Sequence, residues 1–229
     1  MTFTEVMRQL KEMGSAQHRK IYLRHGAQEP LFGVSFADLG KLKKTIKLDQ
    51  QLADQLWATG NADAQVLATM IAEPAAMTPK RLDDWVKAAN YYIIQDAFSK
   101  LAAATPHAVK LMEKWTKSKA EFVGMAGWNL LALLAMQERA LADEFFLPYL
   151  ATIASDIHAR KNRTRHSMNN ALIAIGMRTP LLEKRALEVA KQIGKVEVDH
   201  GETACKTPDA AAYIQKAKTH RVAKKPAKK

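Results

Sequence analysis

Apolar residues recur three and four positions apart along almost the whole chain, and this spacing constrains the fold more than any other feature. It is the period of an amphipathic helix, whereas runs that alternate with period two, which are typical of strands, are nearly absent. Capping signals bound the apolar segments. Thr2-Phe3-Thr4-Glu5 is a capping box, and Thr78-Pro79 places a cap before a proline at the first helical position. The sequence therefore predicts an all-α protein.

Further capping residues and glycines divide the chain into helical segments. The start signals are Ser15, Ser35 and Asp49, and the stop signals are Gly14, Gly26, Gly60 and Gly194. In the second half, the spacing predicts helices over residues 120–136, 145–157, 164–175 and 181–193. The first of these is apolar on several faces, which indicates a central position.

Five prolines recur at intervals close to the period of helical-pair repeats. They are Pro30, Pro74, Pro106, Pro148 and Pro180, which lie 44, 32, 42 and 32 residues apart. Repeats made of helix pairs have periods of roughly 30 to 47 residues. No strict sequence repeat accompanies the prolines, so we expect a divergent HEAT-like stack of helix pairs, an α-α superhelix with a concave basic face that binds an extended partner.

The chain changes character after Gly194, because residues 196–201 have the pattern of an extended segment. We expect a HEAT-like helical-repeat domain over residues 1–195 and a C-terminal extension packed on it over 196–215. A disordered basic tail is expected over 216–229.

The charge of the chain is positive even without its tail. The formal net charge is +12, and residues 216–229 hold seven Lys or Arg and no acid, which leaves +5 for the rest of the chain. A basic folded body indicates a polyanionic partner more specifically than a lysine tail does.

Cysteine usage and hydropathy indicate a cytoplasmic protein. The single cysteine, Cys205, excludes an internal disulfide and a cysteine-based zinc site. No apolar run approaches the roughly 20 residues of a membrane span, and the N-terminus lacks the apolar core of a signal peptide. We therefore expect no membrane association.

A basic run precedes one of the late helices. It comprises Arg160, Lys161, Arg163, Arg165 and His166, and it is followed by Ser167-Met168-Asn169-Asn170 at the start of an apolar helical stretch. A helix N-terminus offers free backbone N–H groups and a partial positive charge, so cations just before it strengthen a phosphate site. A solvated connector between helices is the alternative interpretation. We expect the basic run, together with Asn169 and Asn170, to bind the phosphates of a nucleic acid.

Tyr92 and Asp96 lie one helical turn apart and should project from one face of a helix. A ring beside a carboxylate can stabilise a positively charged, sugar-centred transition state, as when a glycosidic bond breaks. The alternative is a tyrosine packed between helices and an aspartate bonded to a neighbouring backbone group or arginine. Spacing alone favours that alternative.

Several short segments occur in a characteristic order. They are Leu31-Phe32-Gly33-Val34 before a helix, then Leu56-Trp57, then Asp83 and Trp85 leading to Asn90-Tyr91-Tyr92 and Asp96, and finally an arginine-rich loop that enters a late helix. This order resembles the DNA alkylation repair family of HEAT-like DNA glycosylases over about residues 4–193. The resemblance implies a DNA duplex along a concave basic face and an aromatic cleft that removes N3- or N7-alkylated purines without a metal or cofactor. It also implies that Asp96 is the catalytic aspartate and that Tyr92 replaces a cleft tryptophan.

Two segments depart from the family pattern. The family's DNA-contacting arginine would lie within residues 123–128, which hold no arginine, and its second cleft tryptophan would fall near Asn169 or Asn170. Trp128 is a candidate for the missing aromatic surface, although a tryptophan in an apolar helix is more often a core residue. Tyr91 is the other predicted cleft aromatic. These departures favour DNA binding over base excision.

The segment around His200 suggests no further chemistry. Asp199, His200 and Cys205 lack the spacing and ligand count of a zinc site. Residues 201–208 lack the Gly-Lys-Ser or Gly-Lys-Thr ending of a phosphate-binding loop. We therefore expect no metal site, and a structural turn is the preferred interpretation.

Together these features predict a monomeric DNA-binding protein of alkylation-damage repair whose partner is double-stranded, alkylated DNA. Release of N3- or N7-alkylated purines is the activity implied by the resemblance. The alternative is a non-catalytic helical-repeat adaptor that binds DNA or an acidic protein segment.

Overall fold

The computed structural model describes residues 1–138 and 140–223, with side chains described to residue 217, and these residues contain α-helices and short 3-10 turns but no strand. The all-α prediction is therefore confirmed. The helices of the first half are α1 (Phe3–Met13), α2 (Ala16–Arg24), α3 (Phe36–Ile46), α4 (Gln50–Ala58), α5 (Ala62–Ile71), α6 (Pro79–Ala88) and α7 (Tyr92–Ala103). Those of the second half are α8 (Ala108–Trp115), α9 (Glu121–Gln137), α10 (Leu147–Asp156), α11 (Asn162–Gly176), α12 (Pro180–Ile193) and α13 (Ala210–Ala223). None of the helices in the described part of the chain is both long and apolar enough to cross a membrane.

Local capping explains where many of these helices begin. At α1 the backbone N–H of Glu5 donates to the Thr2 hydroxyl at 3.3 Å, and the backbone N–H of Thr2 donates to the Glu5 carboxylate at 2.8 Å. This reciprocal pair is the predicted capping box. The other predicted caps that accept a backbone N–H with their side chains are Ser15, Ser35, Asp49 and Thr78.

Contacts divide the chain into two compact units. Unit 1 comprises residues 1–111 and 200–205, and unit 2 comprises residues 112–199 and the segment from 206 onward. The single helical-repeat domain expected over 1–195 is thus subdivided, and its outer boundaries stay a prediction.

The core of unit 1 is built around α5, in which every residue except Met70 is buried. Trp57 and Trp85 stack nearby with parallel rings and centroids 4.1 Å apart. Asp63, also buried, accepts the backbone N–H groups of residues 32–34 at 2.6, 3.0 and 2.8 Å. One carboxylate of α5 therefore anchors the loop before α3.

The core of unit 2 forms where α9 and α11 pack along one another, with α12 beside α11. Helix α9 is apolar on several faces, and its Trp128 is fully buried. Gly176, at the end of α11, allows a close approach of α13, because a Cβ there would lie 2.6 Å from Ile214 Cδ1. Close packing of this kind leaves no room for a larger side chain.

The end of the chain is more helical than predicted. Helix α13 continues to Ala223, so residues 216–223 are helical rather than disordered. The rest of the expected tail, 224–229, lies outside the described residues. Within unit 2, Val196, Ala210 and Ile214 are buried, so parts of the predicted extension pack on this unit.

Candidate nucleic-acid interface

Tyr92 and Asp96 both lie in the first turns of α7, as their spacing predicts. Asp96 is exposed and Tyr92 is half-buried. The Tyr92 hydroxyl lies 2.6 Å from Nδ1 of His25, the residue that ends α2. No sequence signal links two residues that are 67 positions apart, so this hydrogen bond was not foreseen. The tyrosine is therefore held by a neighbouring imidazole.

The two other predicted cleft aromatics are core residues. Tyr91 is 3% exposed and packs edge-on against Tyr92 with ring centroids 5.2 Å apart. Trp128 is 0% exposed, and its ring meets Tyr149 edge-on at 6.2 Å. A ring with no exposed face cannot stack on a nucleotide. The cleft assignment of these two residues is therefore corrected, and the core alternative for Trp128 is the one observed.

The basic run spans the start of a helix, and three of its five residues lie inside that helix. Helix α11 begins at Asn162, with Lys161 as its N-cap, so Arg163, Arg165 and His166 belong to its first turns. The carboxylate of Glu121 accepts the backbone N–H of Arg163 at 2.7 Å. A phosphate cannot use this N–H while a protein carboxylate holds it, so one donor of the expected helix-terminus site already has its partner within the protein.

Arg160 binds the protein itself. Its guanidinium donates to the backbone carbonyls of Ser118 at 3.1 Å and Thr116 at 3.2 Å, and it lies 3.9 Å from the Asp156 carboxylate. The Arg160 side chain is only 16% exposed. These contacts clamp residues 116–119, which we call the lysine turn, to the start of the neighbouring helix.

Two further members of the predicted DNA contact set hold the C-terminal segment. Arg165 donates to the carbonyl of Glu197 at 2.8 Å and to that of Arg160 at 2.9 Å. The Asn169 amide donates to the carbonyl of Pro208 at 3.0 Å, and this side chain is 0% exposed. Full burial contradicts a direct DNA contact by Asn169. Both residues anchor backbone that lies more than 30 positions away.

The remaining residues of the predicted set differ in accessibility. Lys161 is exposed, whereas Arg163, His166 and Asn170 are half-buried. Among these four residues, Lys161 therefore offers its charge to solvent most completely.

Lys161 lies beside cations that the sequence prediction did not include. A cavity of ≈ 560 Å³ in unit 2 is lined by Lys117, Lys119, Arg160, Lys161 and the single acid Asp156, among others. Lys117 and Lys119 are both exposed. The sequence did contain a signal for these two lysines, because residues 110–119 include four lysines and so form a second basic segment. Three lysines and one arginine against one aspartate make this cavity electropositive.

Two glycines of α9 let the lysine turn pack tightly. A Cβ at Gly127 would lie 2.4 Å from the backbone nitrogen of Thr116, and one at Gly124 would lie 3.1 Å from the carbonyl oxygen of Ser118. The Thr116 hydroxyl also donates to the carbonyl of Met112 at 2.9 Å. The backbone that carries Lys117 and Lys119 is therefore fixed on both sides.

The segment around His200 forms a hydrogen-bonded turn. The Thr203 hydroxyl donates to the His200 carbonyl at 2.9 Å and accepts the backbone N–H of Cys205 at 3.3 Å. Within residues 1–138 and 140–223, no three His, Cys, Asp or Glu side chains are grouped so as to hold a metal ion.

The fold and this cavity define a basic all-helical protein with an electropositive surface in unit 2. The family model of the DNA alkylation repair enzyme family matches residues 6–214, and the chain belongs to that family. It is 28% identical over 232 residues to the uncharacterized protein Lin0241 of Listeria innocua, covering 95% of this chain and 98% of the relative. It is 29% identical over 224 residues to Lmo0209 of Listeria monocytogenes, with the same coverage.

A solved structure confirms the predicted HEAT-like fold. It is described as a new family of proteins related to the HEAT-like repeat DNA glycosylases with affinity for branched DNA structures. The two structures agree with a TM-score of 0.89 and 32% sequence identity, over 96% of this chain and 95% of the other. A match of this extent places both chains in one fold.

Proposed function

We propose that this protein binds branched DNA through the phosphate backbone and does not excise bases. The observation that carries the proposal is the match over 96% of the chain to a protein described as having affinity for branched DNA. Family membership and the electropositive cavity of unit 2 agree with a DNA partner. The +5 charge outside the last 14 residues supplies the long-range attraction that phosphate binding requires.

The state of the predicted cleft residues favours binding over excision. An enzyme that removes a base must receive the flipped nucleotide against aromatic or apolar surface. Tyr91 and Trp128 are buried, and the resemblance places the second cleft tryptophan near Asn169, which is fully buried, or Asn170, which is half-buried.

The test of DNA binding compares DNA shapes at equal charge. A labelled four-way junction, a three-way junction and a linear duplex of the same length are titrated with the protein at several salt concentrations. We expect tighter binding to the junctions, and the logarithm of the association constant should fall linearly with the logarithm of salt concentration. Equal affinity for all three shapes contradicts the preference for branches, and no binding to any contradicts the function.

The test of base excision uses duplex DNA that contains one 7-methylguanine. We expect base release at the background rate for both the natural protein and Asp96→Asn. Release that depends on Asp96 would replace this proposal with the N-glycosylase activity implied by the family resemblance.

A binding protein of this kind can also act as the non-catalytic adaptor for an acidic protein segment. An acidic peptide of the same charge as the duplex separates the two partners. We expect it to displace junction DNA poorly. A monomeric state and a cytoplasmic location stay predictions, to be measured by light scattering and by imaging of the tagged protein.

A further inference from the structure

We infer that Lys117, Lys119 and Lys161 form a site for the phosphates of branched DNA. We call these three residues the lysine cluster. The inference rests on the proposed function and deepens it, because it names the side chains that take the DNA backbone. Only Lys161 belongs to the basic run recognised in the sequence.

The three lysines line one cavity of unit 2 although they come from two separate segments. Lys117 and Lys119 lie in the lysine turn after α8, and Lys161 is the N-cap of α11. All three side chains are exposed. Cations that converge from separate segments form a surface that can contact neighbouring phosphates at once.

Electrostatics favour an external polyanion at this place. In the part of the chain that the structure describes, none of the three lysines forms an ion pair, and the one acid of the cavity, Asp156, lies beside Arg160. Like charges that line one cavity repel one another, and a bound phosphate relieves that repulsion. The charge of the lysine cluster is therefore available to a partner.

The backbone beneath the cluster is already ordered. Arg160 clamps the carbonyls of Thr116 and Ser118, and Gly124 and Gly127 allow the turn to pack against α9. A surface that is ordered before binding loses less conformational entropy on association. The contacts that bury most of the Arg160 side chain therefore also hold Lys117 and Lys119 in place.

The chemistry of the cluster suits recognition of DNA by shape. Lysine contacts to phosphates position a nucleic acid without reading its bases. No aromatic side chain is among the residues that line the cavity. A branch brings the phosphates of several strands close together, so it offers a higher local density of negative charge than a linear duplex. The cluster therefore fits the backbone near a branch point.

The test is the full-length triple variant K117Q/K119Q/K161Q against the control K184Q/K191Q/K206Q. The control lysines are also exposed, lie in unit 2 and form no ion pair in the described residues. Both variants lose three positive charges, so net charge is matched. Circular dichroism melting first establishes that each variant is folded.

We expect the cluster variant to bind a four-way junction about tenfold or more weakly near 0.1 M salt, and its salt slope to fall by about 2 to 3. The control should stay within about threefold of the natural protein, since distributed charge acts weakly at this salt. If the natural protein binds no junction, the proposed function fails. If it binds and the two variants behave alike, the site is overturned while the function stands. Displacement of the junction by polyglutamate as effectively as by duplex DNA would also overturn the DNA assignment of the cluster.

Discussion

Replacing Arg160 with alanine should lower the stability of unit 2 and leave the number of DNA contacts unchanged. The guanidinium makes two hydrogen bonds to partly buried backbone carbonyls, at 3.1 and 3.2 Å. A hydrogen bond from a charged donor contributes about 1.5 to 3 kcal/mol, and water regains part of this when a carbonyl is only partly buried. The Asp156 pair, at 3.9 Å, adds less than about 1 kcal/mol. We therefore expect Arg160→Ala to reduce the free energy of unfolding by about 2 to 4 kcal/mol.

The neighbouring residue provides the matched control. Lys161→Ala removes an exposed side chain of the same charge, so its free energy of unfolding should stay within about 0.5 kcal/mol of the natural protein. Its DNA-binding salt slope should fall by about 0.9, which is the loss of one phosphate contact.

Urea denaturation followed by circular dichroism measures the free energy of unfolding, and junction binding at several salt concentrations measures the salt slope. Arg160→Ala should keep the natural salt slope under conditions where it is folded. If Arg160→Ala lowers the salt slope of DNA binding as much as Lys161→Ala does and leaves the free energy of unfolding unchanged, the assignment of Arg160 to the clamp is refuted. The Arg160 guanidinium of the natural protein would then contact DNA directly.

Three other substitutions test packing that only the structure shows. Asp63→Ala should lower the free energy of unfolding, measured by urea denaturation, by about 3 to 6 kcal/mol, because it leaves one partly buried and two buried N–H groups of residues 32–34 without their acceptor. Gly127→Ala should cost about 1 to 3 kcal/mol, because its Cβ would press on the backbone of Thr116, and the melting temperature should fall. Asn169→Ala should cost about 1 kcal/mol and speed amide exchange near Pro208, whose carbonyl it binds, without changing the salt slope of DNA binding.

Each of these substitutions has a control at a comparable position. Asp84→Ala removes an exposed acid that pairs with Lys80, and it should change stability by less than about 0.5 kcal/mol. Gly40→Ala lies in α3 with open space around the new Cβ, so it should stabilise by about 0.5 to 1 kcal/mol. Asn170→Ala changes a half-buried neighbour of Asn169. If the control variants lose as much stability as Asp63→Ala, Gly127→Ala and Asn169→Ala do, the packing arguments are contradicted.

Helix positions could be predicted because the signals that start a helix act within one turn. Thr2 and Glu5 satisfy each other's backbone groups three positions apart, and Ser35 reaches the N–H of Asp38 in the same way. The same locality placed Tyr92 and Asp96 on α7. The start of α11 was predicted less accurately: it begins at Asn162, two residues before the predicted start, and its N-cap residue, Lys161, makes no capping hydrogen bond with its side chain.

The sequence by itself determined the helical class, the basic charge and the family resemblance, since each depends on local spacing, on composition or on the order of short segments. Only the tertiary structure decided which cations face solvent. Arg160, Asn169 and Glu121 all find their partners 39 to 44 residues away, and nothing in a local pattern identifies a partner at that distance. Burial decides the rest, because a ring or an amide with no exposed surface serves the core whatever motif it belongs to.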